Sequence, residues 1–268
     1  MSKAVAGLLA LTAYALLSTG MVLMKKGIAW IGHKGPKDAT WRRDLGTWIA
    51  GFLLSNLYVV PSLIALKTLT PHVVAAFAGF GVIILVLLSR AVLGEPLHRS
   101  DVLYAVAIFL SIVLLNISEP SPGRGALDIF YLAGAATFPP LLFAVAFVKG
   151  TNRKARAAIF ASVSGTATGM IVILMKVLVD LYGFRIVDYF RSPYAYLYLF
   201  FSLGSFIALQ LAYRSGTMLR TGSLQYGSSI VYPAVCSVLV FGNVIRPLQI
   251  ASLAAIVLGV AGIMRKHV

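Results

Sequence analysis

The sequence predicts an all-α integral membrane protein of about nine transmembrane helices, built as two inverted four-helix repeats joined by a linker helix. Three observations carry that expectation. The 268 residues are 59% hydrophobic and 12% charged, with a mean hydropathy of +0.90, whereas a water-soluble domain carries roughly 25% charged residues. The apolar residues gather into nine uncharged runs, most of them close to the roughly 20 residues a helix needs to cross a bilayer. And the phrase "TGMVLMKKG" at Thr19–Gly27 is echoed by "TGMIVILMK" at Thr168–Lys176.

The first run, Ala4–Met24, closes on Lys25 and Lys26. Only Lys3 precedes it, and it is long enough to span, so no cleavable signal peptide is expected. Leu45–Leu66 is the second run and Val73–Ser89 the third, with His72 at their tight joint reading as a capping or surface group. Val102–Ser118 is the fourth. Ile129–Val148, the fifth, carries Pro139-Pro140 at its centre. Prolines are tolerated in lipid where neighbours satisfy the carbonyls they free, so kinks are expected there and at Pro233. Ala157–Met175 follows, with Gly165 and Gly169 four residues apart, a spacing that lets membrane helices approach closely. Ser192–Tyr213, Leu224–Val244 and Pro247–Met264 complete the set, the last with an Ala251, Ala255, Gly259 stripe. Trp30, Trp41 and Trp48, with Tyr189, Tyr194, Tyr196 and Tyr198, read as interfacial belts.

The 23 Lys and Arg against 8 Asp and Glu give a net charge of +15. In a soluble chain that excess would point to nucleic acid. Here the cations lie between apolar runs and read as loop charge facing a membrane surface. With nine spans, 16 cations fall on the side of the C-terminus and 7 on the side of the N-terminus. Short cytoplasmic loops collect Lys and Arg, so the N-terminus is expected outside and the C-terminus in the cytoplasm, in a plasma (inner) membrane. Cys236 is the single cysteine, which excludes a disulfide within one chain.

The repeat sets the architecture. Met24-Lys25 recurs as Met175-Lys176, Gly51 matches Gly204, and Gly94-Glu95 matches Gly242-Asn243. Residues 1–118 therefore form one four-helix repeat, 119–156 a linker helix with its loops, and 157–268 the second repeat. The odd linker inverts the second copy. Inverted repeats are a hallmark of secondary transporters, with a site near the midplane between the halves.

The stretch "ALQLAYRSGTMLRTGSLQYGSSIVYPAVCSVLVFGNVIRPLQIASLAAIVLGVAGI" resembles the carboxyl half of a drug/metabolite transporter (DMT) superfamily, EamA-like protein, and "LTPHVVAAFAGFGVIILVLLSRAVLGEPLHRSDVLYAVAIFLSIVLLN" resembles the same unit. The nine-span plan with "VLMKKG" closing span one is similar to the NIPA-like, magnesium-associated branch. That resemblance implies a small-solute transporter. The sequence departs from the magnesium branch at span two, which reads "SNLYVVPSL" where a carboxylate would be expected. The eight acids, Asp38, Asp44, Glu95, Asp101, Glu119, Asp128, Asp180 and Asp188, lie in loops or near helix ends, while magnesium prefers oxygen ligands that usually include carboxylates. Span one offers Tyr14, Leu17 and Gly20 on one face and no acid, which disfavours the drug–proton device of the small multidrug resistance branch.

Several residues are candidates for a substrate path. Lys176 lies on the outer side, against the charge bias, and an intramembrane cation costs about 2.5–3.5 kcal/mol at a helix centre and less near an end. Lys25 and Lys26 read as topology or gate residues. Asn56 and Tyr58 on span two, Gln210 and Tyr213 on span seven, and Gln225, Ser229 and Tyr232 on span eight place polar groups inside spans. Such groups serve either interhelical hydrogen bonding, worth about 0.6 kcal/mol each, or substrate contact. No enzyme, ATPase, metal-ligand or cofactor signature is present, so no catalytic residue, metal or cofactor is expected. The expected partners are the lipid bilayer and a small solute, with no nucleic acid; a homodimer is left open. Secondary transport of a neutral, zwitterionic or anionic metabolite is the leading expectation. A magnesium-type permease and a non-transporting membrane scaffold or partner subunit are the alternatives.

Overall fold

The computed structural model describes residues 2–32, 39–66, 68–69, 77–117, 127–148, 151–183 and 186–266. Lys34, Lys37, Asp38, Lys67, His72, Glu119, Arg124, Lys149 and Arg185, all named or counted above, lie outside the described residues.

The described residues are almost entirely helical. Helix α1 is Lys3–Gly27, followed by a 3₁₀ turn at Ile28–Gly32. Then come α2 (Ala39–Leu57), α3 (Val59–Leu66), α4 (Ala78–Leu93), α5 (Arg99–Ile117) and α6 (Ile129–Val145). The chain continues through α7 (Arg153–Tyr182), the short α8 (Ile186–Tyr189), α9 (Pro193–Ser215), α10 (Met218–Phe241) and α11 (Pro247–Lys266). Polar side chains open several of these helices, because the first N–H groups of a helix lack intrahelical acceptors. Asp128 accepts from Phe130 and Tyr131 N–H at α6, and Asn152 accepts from Ala155 N–H at α7. Ser192 caps α9, whose first residue is Pro193.

By length and composition, among the described residues, six segments can cross a membrane: Lys3–Gly32, Ala39–Ala65, Arg153–Tyr182, Pro193–Ser215, Met218–Phe241 and Pro247–Arg265. Ala78–Leu93 and Ile129–Val145 are apolar but shorter. The second expected run is two helices, not one. Pro61 has no N–H, and its ring crowds the carbonyl four residues back, that of Leu57. The chain breaks at Tyr58 and resumes as α3, with Pro61 in the first turn, where a missing donor costs least.

The chain forms two compact units. Unit 1 comprises Met1–Glu119, Thr217–Ser223 and Pro247–Val268; unit 2 comprises Pro120–Gly216 and Leu224–Arg246. In unit 1, α1 crosses α2 where glycines remove the side chains between them. A Cβ on Gly20 would lie 2.5 Å from Ser55 N, and one on Gly51 would lie 2.5 Å from Met24 N. Buried Ser18 donates to the Gly81 carbonyl of α4 at 2.8 Å. Helices α5 and α11 pack through Gly259 against Ile108 and through Gly262 against the Tyr104 ring. Contact residues rise along α11 as they fall along α5, so these two helices run antiparallel. At the α1–α2 joint, Trp30 meets Trp41 and Trp48 edge-on at 6.3 and 6.1 Å.

In unit 2, α7 is flanked by α6, α9 and the α10 segment from Leu224 onward. Its core holds Leu132, Met170, Leu174, Phe201 and Val240.

Local geometry repeats at an offset of 148 residues. Gly94 ends α4 at φ +67°, and Gly242 follows α10 at φ +63°. Glu95 N–H donates to Ser89 O at 3.2 Å, and Asn243 N–H to Ser237 O at 3.4 Å. Ser89 Oγ donates to Val86 O and Ser237 Oγ to Ala234 O. This is one helix ending written twice, with a glycine in the left-handed conformation that other residues avoid. Helices α5 and α11 also begin 148 apart, at Arg99 and Pro247. The Gly51–Gly204 match does not extend to packing: a Cβ added at Gly204 would meet nothing within 4 Å.

Candidate functional site

The polar face of α10 is the richest in candidates. Gly165 and Gly169 bring α7 against it: a Cβ at Gly165 would meet Gln225 O and Ser228 Cβ at 2.5 Å each, and one at Gly169 would meet Pro233 Cδ at 2.6 Å. Gln225, Ser229, Tyr232 and Pro233 thus line one helix crossing. Ser229 spends its hydroxyl on its own helix, donating to Tyr226 O at 2.8 Å. Gln225 differs. Its amide oxygen Oε1 is buried and has no hydrogen-bond partner among the described residues. Leaving a buried polar group unsatisfied costs about 1–3 kcal/mol.

Tyr232 has a structural task. Its hydroxyl donates to Ala135 O of α6 at 2.5 Å, and its ring stacks on Phe138 at 5.7 Å. Pro139 lies four residues after Ala135 and has no N–H to give that carbonyl. Tyr232 supplies the missing donor, as the expectation for a proline inside a lipid-embedded helix requires. Replacing Tyr232 by Phe is expected to lower stability by about 1 kcal/mol, since it removes only the hydroxyl and leaves the carbonyl unpaired. The check is thermal unfolding in detergent, compared with Tyr131→Phe as an exposed-tyrosine control. Equal midpoints for both variants would refute this role.

Three hydroxyls on α7 and α9 form a cluster absent from the sequence-based candidates. Ser205 Oγ donates to the Ser164 carbonyl at 2.9 Å. Its oxygen lies 3.2 Å from Ser164 Oγ and 2.9 Å from Thr168 Oγ1. The signal is there as Ser-x-x-x-Thr at helical spacing, but nothing in it names Ser205 as the partner.

The remaining candidates are dispersed. Asn56 is exposed near the end of α2 and donates to Phe52 O at 2.7 Å. Tyr58 sits at the α2–α3 break. Both belong to unit 1. Gln210 is half-buried and Tyr213 fully buried on α9. Lys25 and Lys26 occupy the last turn of α1. Lys176 Nζ lies 2.8 Å from Asp180 Oδ2 one turn on, with each side chain 52% exposed, and 5.2 Å from the Phe241 ring centroid. Its charge is matched within its own helix, which runs six residues further to Tyr182.

Glu95 carries a role that the sequence does not assign, since there it is only a landmark of the repeat. Its carboxylate accepts from the backbone N–H of Met218 at 2.5 Å and of Leu219 at 2.9 Å, in the first turn of α10. A carboxylate at a helix N-terminus satisfies orphan donors and complements the helix dipole. Gly94, in the left-handed conformation, turns the chain so that the next residue can reach. The two partners stand 123 and 124 residues away, and no local spacing rule spans that distance.

Residues 1–117 match the EamA-like transporter family. No curated protein and no solved structure matches the chain at a significant level.

Proposed function

From the match of residues 1–117 to the EamA-like transporter family, we propose that the chain is a multi-pass membrane transporter of the drug/metabolite type that moves a small metabolite by alternating access. In this reading residues 1–118 and 157–268 are inverted repeats linked by 119–156, with the N-terminus outside and the C-terminus in the cytoplasm of a plasma membrane. The duplicated helix endings at Gly94 and Gly242 and the antiparallel packing of α5 and α11 support the repeats. The excess of cations on the C-terminal side supports the orientation.

The observation that most favours α10 as the substrate-facing helix is the buried, unpartnered amide oxygen of Gln225. Two turns further along the same helix, Pro233 has no N–H to donate to the Ser229 carbonyl. A substrate bearing an N–H or O–H group would supply the donor that the protein withholds. Amide and carbonyl acceptors carry no net charge, so the fitting substrate is a neutral or zwitterionic metabolite with a hydrogen-bond donor.

The test combines a thermal-stability screen of small metabolites with flux of the hits into proteoliposomes. Gln225→Leu keeps the volume and removes the unpaired acceptor. It is expected to fold with unchanged or raised stability, to lose the substrate-induced shift, and to cut flux by about tenfold or more, as the loss of one good hydrogen bond predicts. Undiminished flux would remove Gln225 from the path. Magnesium flux that competes with other divalent cations, measured in the same vesicles, would overturn the metabolite reading itself.

A further inference from the structure

Unit 2 contains a cavity of about 610 Å³ whose lining, among the described residues, includes three arginines, Arg153, Arg156 and Arg214, and no Asp or Glu. Its apolar wall is Phe147, Phe160 and Leu211, with the Phe147 and Phe160 rings edge-on at 6.0 Å. The arginines come from two places: Arg153 and Arg156 from the start of α7, and Arg214 from the last turn of α9. The segment 151–156 reads "TNRKAR", three cations and no acid in six residues.

Backbone carbonyls hold two of the three guanidinium groups. Arg153 Nη2 donates to Arg214 O at 3.1 Å, and Arg156 Nη2 donates to Thr151 O at 3.5 Å. A guanidinium has five N–H donors, so most of the donors on each arginine are left for a ligand. Cations at the start of a helix also work against the helix dipole, which favours negative charge there. Arg153 and Arg156 therefore cost stability in the empty protein and gain it when an anion is present, whereas Arg214, in the last turn of α9, suits its own helix dipole.

The geometry points to a binding site for the headgroup of an anionic phospholipid, with the arginines on the phosphate and the phenylalanines along the first part of an acyl chain. Lipid is favoured over a free anion because the wall carries three large apolar side chains and Phe147 is 64% exposed, just past the end of the apolar helix α6. Basic pockets between membrane helices on the cytoplasmic side hold anionic headgroups, and the charge count puts this end of α7 and α9 on that side. The inference rests on the membrane orientation proposed above but not on transport.

The test uses the full-length protein, delipidated in detergent and titrated with phosphatidylglycerol or phosphatidylcholine, read as a shift in unfolding midpoint and as bound lipid by native mass spectrometry. Phosphatidylglycerol is expected to bind and stabilise more strongly than phosphatidylcholine. Each single variant Arg153→Gln, Arg156→Gln or Arg214→Gln should weaken its apparent affinity about fivefold, and the triple variant about a hundredfold. If the triple variant does not fold, the three single variants carry the comparison. Arg42→Gln, Arg43→Gln and Arg265→Gln together remove the same charge elsewhere and should leave the affinity within about twofold. Equal loss in this control set would reduce the effect to diffuse charge and overturn the site. So would equal responses to the two lipids, or a full shift produced by glycerol phosphate alone, which would make it a site for a free phosphate ester. Flux of a transported metabolite through the triple variant separates this result from the transport reading.

Discussion

Alanine at Gly165 is expected to cost the protein about 1–3 kcal/mol, and alanine at Gly204 to cost nothing or to stabilise it. The substitution is the same and both glycines are in membrane helices, so the sign depends on the surroundings. At Gly165 the new Cβ would lie 2.5 Å from the Gln225 carbonyl oxygen and 3.1 Å from Ser229 N. These are backbone atoms of α10 and cannot rotate away, so α7 and α10 must separate, with the strain typical of overpacking. At Gly204 nothing lies within 4 Å. There alanine gains the helix propensity that glycine lacks, about 0.5–1 kcal/mol. Fluorescence-detected size-exclusion chromatography after graded heating reads both midpoints in one detergent. A Gly165→Ala protein as stable as the parent would mean that α7 and α10 do not meet at that residue. If the proposed transport role of Gln225 holds, the same variant is also expected to reduce flux, since it displaces the helix that carries Gln225.

Glu95→Ala is the second large effect, at about 2–3 kcal/mol. Met218 and Leu219 are fully buried, and their N–H groups have the Glu95 carboxylate as acceptor. Hydrogen bonds to a charged group contribute about 1.5–3 kcal/mol, and a buried donor left unpaired incurs its desolvation cost. For a chain of this size that corresponds to a midpoint lower by roughly 5–10 °C. Glu95→Gln should fall between, because an amide oxygen still accepts but carries no charge. Thr217→Asp offers a rescue: a carboxylate at the residue before α10 can cap the same turn from within. Recovery of most of the lost midpoint in Glu95→Ala/Thr217→Asp is expected. A Glu95→Ala protein that melts with the parent would show that the first turn of α10 is held by other contacts.

Both effects follow from contacts between segments far apart in the chain, and such contacts mark how much of the site was legible. The helices were legible because a long uncharged run in lipid has one way to satisfy its backbone. So was the doubling: Gly94 and Gly242 sit 148 residues apart with Ser89 and Ser237 five residues before them, and the shared serine and glycine make matching helix ends. The break at Tyr58 was legible in principle from Pro61, yet an uninterrupted apolar run masked it. Gln225, Ser229 and Tyr232 were recognisable as one face by their spacing. Their different fates were not: Ser229 turns back on its own helix, Tyr232 serves a proline on α6, and among the described residues Gln225 alone of the three has a buried polar atom with no hydrogen-bond partner.

The sequence by itself determined that this chain lives in a bilayer, roughly where its helices lie, and that its helix endings are written twice. Only the tertiary structure decided which faces meet. In water, an apolar stripe on a helix announces the side that will be buried. In lipid, the tails are as apolar as leucine, so a membrane helix is greasy all round and its pattern does not name its neighbour. Glycines 165 and 169 say that something comes close; that it is α10, with Gln225 beside it, depends on packing across about 60 residues of chain. Glu95 shows the same limit for a polar group. A carboxylate after a helix can be read locally, but its acceptor role toward Met218 and Leu219 exists only once the fold has brought them together.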